Sequence, residues 1–77
     1  MTELAILGTG CAKCTKLEAN TREATAQLGL EANIRKVSDI QEIMQYGVMM
    51  TPALVIDGEV KCVGKVLSVD DIKGLLG

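Results

Sequence analysis

The fold is decided by residues 4–14, LAILGTGCAKC. The first four residues form a continuous apolar run, which is typical of a short strand buried on both faces of a parallel sheet. Two glycines then mark a turn, and a long helical pattern begins at the cysteines. The sequence therefore predicts that Cys11 and Cys14 lie at the junction of a strand and a helix.

A Cys-x-x-Cys pair at such a junction favours redox chemistry. Unpaired N–H groups and the helix dipole stabilise a negative charge at the helix N-terminus, so Cys11 is predicted to be the nucleophilic thiolate. Lys13 adds a positive charge that would lower the pKa of Cys11 further, although a solvated surface lysine is an equally good interpretation. Cys14 lies one turn along the helix, close enough to form a disulfide with Cys11 and to resolve a mixed disulfide.

Hydrophobic periodicity predicts the remaining elements in the order β-α-β-α-β-β-α. The predicted strands are residues 3–8, 31–37, 53–56 and 59–63, and the predicted helices are residues 11–28 and two that begin at Ser38 and Ser68. Ser38 with Gln41 and Ser68 with Asp71 are spaced as capping boxes. The apolar helix faces are predicted to be Cys14, Leu17, Thr21, Ala24 and Leu28, then Ile40, Ile43 and Met44, then Ile72, Leu75 and Leu76.

Asp57-Gly58 predicts a type I′ hairpin turn between the last two strands. Uninterrupted pairing from that turn sets Ala53 opposite Cys62, within reach of the cysteine pair. Cys62 is then either a third redox thiol or, as is more common, a small apolar core residue. Gly64 either ends the last strand or leaves room for the backbone of a partner.

Three segments together resemble the thioredoxin fold: Gly8 to Cys14, Met50-Thr51-Pro52-Ala53, and Ile56-Asp57-Gly58-Glu59. In size and order the whole chain is similar to the small, glutaredoxin-sized redox-active disulfide proteins of archaea and anaerobic bacteria. The resemblance implies a single α/β domain over residues 1–77, with a four-stranded mixed sheet flanked by three helices.

The resemblance also implies a thiol–disulfide oxidoreductase with no bound cofactor and no metal site. Its partners would be protein disulfides and a thioredoxin-type reductase. The substrate would contact Gly10, Met50, Thr51, Pro52 and Gly64, and the Thr51–Pro52 bond would be cis, so that the backbone of Thr51 could pair with an extended segment. Thioredoxins bury an acidic residue under the second cysteine, and in the first two predicted strands Glu3 at the edge is the nearest match.

Composition excludes several other classes of protein. Tyr46 is the only aromatic residue and the formal net charge is −2, which disfavour base stacking and phosphate-backbone binding. Three cysteines do not suit a secreted disulfide framework, and the chain has no histidine. No apolar run approaches the length of a signal peptide or membrane span. We therefore expect a cytoplasmic monomer that binds neither nucleic acid nor membrane.

Two alternative functions fit parts of the sequence. A Cu(I) carrier would use the same two thiolates, but copper-chaperone domains place Met-x-Cys-x-x-Cys after the first strand, where this chain has Thr9, and their βαββαβ fold ends in a strand. A non-catalytic binding module on the thioredoxin scaffold is the other alternative, because a fold does not fix a function. Retention of both cysteines argues against that interpretation.

Overall fold

A computed structural model describes residues 2–10 and 12–76. The elements are β1 (Thr2–Leu7), α1 (Ala12–Leu28), β2 (Ala32–Val37), α2 (Ile40–Gln45), β3 (Ala53–Ile56), β4 (Glu59–Val63) and α3 (Val69–Leu76). They form a four-stranded sheet in the order β2-β1-β3-β4. β1 is parallel to β2 and antiparallel to β3, and β3 is antiparallel to β4. The predicted α/β class, element order and mixed sheet are confirmed.

The sheet separates two apolar clusters. On one face, α1 and α3 cover a cluster that comprises Leu4, Ile6, Leu17, Ala24, Leu54, Ile56, Cys62 and Ile72. On the other face, the cluster under α2 comprises Ala5, Leu7, Val37, Ile43, Val48, Ala53 and Val55. β1 contributes alternate residues to both clusters, which explains its continuously apolar sequence. No helix within the described part of the chain is long and apolar enough to cross a membrane.

The buried face of α1 differs from the prediction at its last turn. Cys14, Leu17, Thr21 and Ala24 are buried as predicted, but Leu28 is 40% exposed and Thr25 is buried instead. The cause is the way the helix ends. Gly29 adopts a positive φ of 63°, and the N–H of Leu30 donates to the carbonyl of Thr25 at 3.0 Å, as in a Schellman motif. The chain turns away there, so Leu28 remains on the outside of the final turn.

α2 is shorter than the sequence suggests, and its predicted cap is wrong. The N-cap is Asp39, whose carboxylate accepts from the backbone N–H of Gln41 at 2.8 Å, so Ser38 lies outside the helix. Ile43 is buried, but Ile40 and Met44 are exposed. A six-residue helix has fewer than two turns, so it presents only one residue fully to the sheet.

α3 begins as predicted and is buried less widely than predicted. The hydroxyl of Ser68 accepts from the N–H of Asp71 at 3.1 Å, and the carboxylate of Asp71 accepts from the N–H of Ser68 at 3.4 Å. Ile72 is fully buried, whereas Leu75 is 44% exposed. The element order of the described residues, βαβαββα, differs from the βαββαβ order of the copper-chaperone fold.

The β3–β4 hairpin contains a bulge that the sequence did not reveal. Asp57 and Gly58 both have positive φ, 51° and 81°, as a type I′ turn requires. The pairing then shifts by one residue, so that Val55 faces Val60 but Leu54 faces Cys62. The predicted pairing of Ala53 with Cys62 is therefore wrong, because Lys61 is an extra residue in β4.

Candidate functional site

At one end of the sheet, three residues lie next to one another, and each adjoins the end of a different strand: Gly8 follows β1, Pro52 precedes β3 and Gly64 follows β4. Leu7 pairs with Ala53, so the next residues outward, Gly8 and Pro52, lie side by side. On the other side of Pro52, the N–H of Gly64 donates to the Pro52 carbonyl at 2.7 Å. We refer to Gly8, Pro52 and Gly64 as the sheet-end row.

Cys14 lies directly against this row. Its side chain is 1% exposed, and a Cβ built on Gly8 would overlap the Cys14 Sγ and would lie 3.0 Å from its Cβ. The first turn of α1 therefore packs the thiol onto the bare backbone of Gly8. A side chain at position 8 has no room while the thiol is there.

The sequence indicated Gly8 only as a turn residue, and its steric role was missed. The turn itself needs Gly10, which has φ of 91°, whereas Gly8 does not have positive φ. Gly8 is thus required by close packing and not by backbone conformation. The sequence signal that could have indicated this role is the presence of two glycines, Gly8 and Gly10, where the turn requires only Gly10.

Gly10 and Lys13, which were also predicted to lie near the cysteines, are exposed between the end of β1 and the first turn of α1. Lys13 lies in the first turn of α1 and Gly10 lies two residues before Ala12, where that helix begins, and both are exposed. Cys11, the predicted attacking thiol, lies outside the described residues. The role of Cys11 therefore stays a prediction.

Pro52 and Thr51 form the second part of the site. The Thr51–Pro52 peptide bond is cis, which is the isomer that the resemblance implies. Pro52 is fully buried beside Gly8, whereas Thr51 is exposed. The exposed residue Thr51 is therefore adjacent to Pro52, the central member of the sheet-end row.

Met50 covers the third member of that row. A Cβ on Gly64 would lie 3.2 Å from the Cε and 3.6 Å from the Sδ of Met50. The space that was predicted to receive a partner's backbone is therefore partly filled by this side chain. Met50 is nevertheless 62% exposed, and its neighbour Met49 is 95% exposed. An apolar, polarizable surface therefore adjoins the site.

Two further residues considered from the sequence, Glu3 and Cys62, lie outside the sheet-end row. Glu3 is near the opposite end of β1, where its backbone N–H donates to Asp57 at 2.9 Å and its carboxylate accepts from Asn33 at 2.9 Å. It cannot serve Cys14. Cys62 packs in the cluster under α1 and α3, with its Sγ 3.7 Å from the carbonyl of Lys65. The bulge directs its side chain into the core, as the apolar interpretation predicts.

Among the described residues, charged side chains form ion pairs and hydrogen bonds on both faces of the sheet. Within residues 2–10 and 12–76, no three or more His, Cys, Asp or Glu side chains are grouped so as to hold a metal ion. On the α2 face, the hydrogen bond from Arg35 to the Tyr46 hydroxyl, 3.2 Å long, raises the pKa of the guanidinium. Nearer Cys14, Glu18 on α1 pairs with Lys36 on β2 at 3.6 Å.

Comparison with known proteins places this arrangement in a family. Residues 2–77 match the family described as "Thioredoxin domain". The chain is 42% identical over 76 residues to a thioredoxin of Methanothermobacter thermautotrophicus, a match that covers 99% of each chain. It is 40% identical over 73 residues to a thioredoxin of Methanocaldococcus jannaschii, covering 95% of this chain and 84% of that relative.

Proposed function

The chain belongs to the thioredoxin-domain family of thiol–disulfide oxidoreductases, and we propose that Cys11 and Cys14 are its redox couple. The observation that carries this proposal is the burial of the Cys14 thiol against Gly8, next to the cis Thr51–Pro52 segment. A thiol held in that way is protected from outside disulfides, so it is suited to attack only a disulfide formed on its own chain.

The reaction proceeds in two balanced exchanges. The Cys11 thiolate forms a bond to one sulfur of the substrate disulfide, and the other sulfur leaves as a thiolate. Cys14 then loses its proton and attacks the Cys11 sulfur, which forms the Cys11–Cys14 disulfide and releases the second substrate thiolate. Two electrons have passed to the substrate. A thioredoxin-type reductase then supplies two electrons to the Cys11–Cys14 disulfide and regenerates the dithiol. No bound cofactor takes part in either exchange.

Protein disulfides are the proposed substrates, bound along the exposed part of the site. An extended segment of the substrate pairs with the backbone of Thr51, beside Pro52. Gly10, Met50 and Gly64 border the same surface, and Met50 adds an exposed apolar contact. Lys13 contributes a positive charge at the start of α1 that favours the thiolate of Cys11. We propose that the chain acts as a single-domain monomer in the cytoplasm.

A redox titration tests the proposal. The protein is equilibrated in thiol–disulfide buffers of increasing potential, and free thiols are counted for the wild type, Cys11→Ser and Cys62→Ala. A reversible two-electron transition that persists in Cys62→Ala and disappears in Cys11→Ser supports the assignment. A transition that depends on Cys62, or none at all, contradicts it.

Trapping identifies the order of the two thiols. Cys14→Ser should accumulate a stable mixed disulfide with a protein disulfide substrate, because the second exchange is blocked. Cys11→Ser should accumulate none, since Cys14 is buried. The reverse pattern would assign the attack to Cys14 and would contradict the proposed roles.

A further inference from the structure

The edge of the sheet beside the site carries a groove. β4 is the last strand in the order β2-β1-β3-β4, so one of its sides has no neighbouring strand in the sheet. A groove of about 560 Å³, which we call the β4–α3 groove, lies between that strand and α3. Its lining combines two lysines, Lys61 and Lys65, with the apolar side chains of Cys62, Val63, Leu67 and Leu75. A surface of this kind suits a ligand that is both apolar and negatively charged.

The β4–α3 groove is continuous with the proposed substrate surface. Two of its lining residues, Val63 and Lys65, flank Gly64, a member of the sheet-end row. The Gly64 N–H donates to the Pro52 carbonyl at 2.7 Å, so this end of the groove lies beside the cis-proline segment. A substrate segment that pairs with Thr51 therefore enters the groove when it extends past Gly64.

The orientation of α3 gives the groove its direction. Directly before α3, the Leu67 carbonyl accepts a hydrogen bond from Asn20 at 2.9 Å, and within α3 the Lys73 ammonium donates to Gln27 at 3.0 Å. Asn20 lies near the middle of α1 and Gln27 in its last turn, whereas the first turn of α1 lies at the sheet-end row. α3 and the groove beside it therefore lead away from that row.

The apolar side chains of the groove are only partly covered. Leu75 is 44% exposed and Val63 is 40% exposed, whereas Cys62 is 9% exposed. Leu75 and Asp71 are one turn apart on α3, about 6 Å along the helix axis. An extended chain spans that distance with about two residues. One or two apolar side chains of such a chain would therefore cover Leu75.

The charge available in the groove is positive. Lys65 is exposed and forms no ion pair with any residue in the ranges 2–10 and 12–76. Lys61 pairs with Glu59 at 3.2 Å. The carboxylate of Asp71 is engaged by the helix cap, where it accepts from the N–H of Ser68 at 3.4 Å. An acidic group on a partner would therefore meet Lys65.

We propose that the β4–α3 groove binds an extended segment of the substrate protein in which acidic and apolar residues alternate. The assignment rests on the proposed function, because the segment continues the substrate chain that pairs with Thr51. Successive side chains of an extended chain point to opposite faces. The apolar ones lie against Leu75, and the acidic ones remain at the rim, where they pair with Lys65.

A second copy of this chain does not suit the groove. β4 carries a bulge at Lys61, and a lysine and a bulge on an edge strand both disfavour pairing with an identical strand. Two copies joined at β4 would also bring Lys61 and Lys65 of each copy to one interface. An acidic partner segment meets attraction at the same positions.

Cys62 provides a measurement that does not need redox activity. In a Cys11→Ser/Cys14→Ser protein it is the only thiol, and it lines the groove, so a bound segment shields it from N-ethylmaleimide. The probes are two thiol-free peptides of equal length, one alternating glutamate with leucine and the other lysine with leucine. The acidic peptide should slow alkylation by at least about threefold and the basic one should not. Equal slowing by both peptides, or by neither, overturns the proposal.

Matched variants locate the binding. Lys65→Glu should reverse the preference so that the basic peptide protects Cys62, whereas Lys16→Glu, an exposed lysine on α1, should keep the wild-type preference. Leu75→Ala should raise the concentration of acidic peptide needed for protection by about threefold. Leu28→Ala removes an equally exposed leucine outside the groove and should leave that concentration unchanged. Equal effects within either pair contradict the assignment.

Self-association identifies the competing occupant. The chain should be monomeric in sedimentation at the concentrations used for alkylation. A dimer that dissociates in Leu75→Glu would make a second copy the occupant and would overturn the proposal.

Disulfide-containing peptides connect the groove to the reaction. Each carries the same internal disulfide and either an acidic–apolar or a basic–apolar tail. In the wild type, kcat/KM should be at least about tenfold higher for the acidic tail at low ionic strength, and added salt should reduce this ratio. Equal reduction of both peptides overturns the proposal and leaves the proposed function intact. Reduction of neither peptide, nor of a small disulfide, contradicts the proposed function, whereas protection of Cys62 still reports on the groove.

Discussion

The Cys14 thiol occupies the space that a side chain on Gly8 would need. The contact joins the first turn of α1 to the residue that follows β1, so it sets how deeply the helix N-terminus packs on the sheet. The reactivity of Cys14 and the packing of α1 on β1 are consequently coupled through one glycine.

Gly8→Ala should destabilise the protein by about 1–3 kcal/mol, the usual cost of inserting a methyl group into a filled core. The added Cβ would overlap the Cys14 Sγ, and the first turn of α1 would have to move. Urea unfolding followed by circular dichroism measures the change in the free energy of unfolding.

Gly74→Ala is the matched control for that substitution. Gly74 lies in α3, and a Cβ there meets nothing within 4 Å. The same chemical change should therefore stabilise the protein by about 0.4–1 kcal/mol, since alanine loses less backbone entropy in a helix. Equal effects at the two glycines would show that the contact with Cys14 is not the cause.

Met50→Ala should weaken the docking of protein substrates. Met50 is exposed but held against Gly64, so little side-chain freedom is lost when a partner covers it. Loss of its apolar contact costs about 1 kcal/mol, or roughly a fivefold rise in KM for a protein disulfide.

Met49→Ala provides the comparison, because Met49 is the adjacent residue of the same type and is 95% exposed. Its KM should change less than that of Met50→Ala, and neither variant should alter the reaction with a small disulfide. An equal rise in both variants would argue for a general apolar surface and against a specific contact at Met50.

Asp39→Ala should cost about 0.5–2 kcal/mol of stability, because its carboxylate caps α2 through the N–H of Gln41. Ser38→Ala, one residue earlier, should have little effect. Chemical denaturation of the two variants decides between them. A larger loss of stability in Ser38→Ala than in Asp39→Ala would show that Ser38 is the N-cap, as the sequence pattern suggested.

Cys62→Ala should lower stability by about 1 kcal/mol through the small cavity that it leaves in the core. The redox transition of the other two cysteines should keep its midpoint, because Cys62 lies in the cluster under α1 and α3. Thermal unfolding and the redox titration report on the two effects separately. A shifted midpoint would show that Cys62 affects the reduction potential of the other two cysteines.

Local patterns predicted the parts of the fold that depend on neighbours in sequence. Apolar runs and periodicity located all seven elements, and the Ser68 cap and the Asp57-Gly58 turn follow from residues within three positions of each other. These features are encoded by short-range hydrogen bonds and steric preferences.

Features that depend on packing between elements could not be predicted in the same way. Ser38 and Asp39 are both good capping residues. Which of them caps α2 depends on where the helix begins, and it begins at Ile40, directly after Asp39. The pairing of Glu18 with Lys36 requires the parallel register of β1 and β2, and the contact of Cys14 with Gly8 requires the depth of α1 on the sheet. None of these has a sequence-local signature.

The bulge in β4 bears on how this hairpin tolerates changes in chain length. Deleting Lys61 would leave Val60 followed directly by Cys62, and every remaining pair, Val55 with Val60, Leu54 with Cys62 and Ala53 with Val63, would keep its present partner. Lys61 is thus a single extra residue that the bulge accommodates, and the strand pairs on either side of it do not depend on its presence. A relative one residue shorter at this point would still place its counterpart of Gly64 beside its counterpart of Pro52.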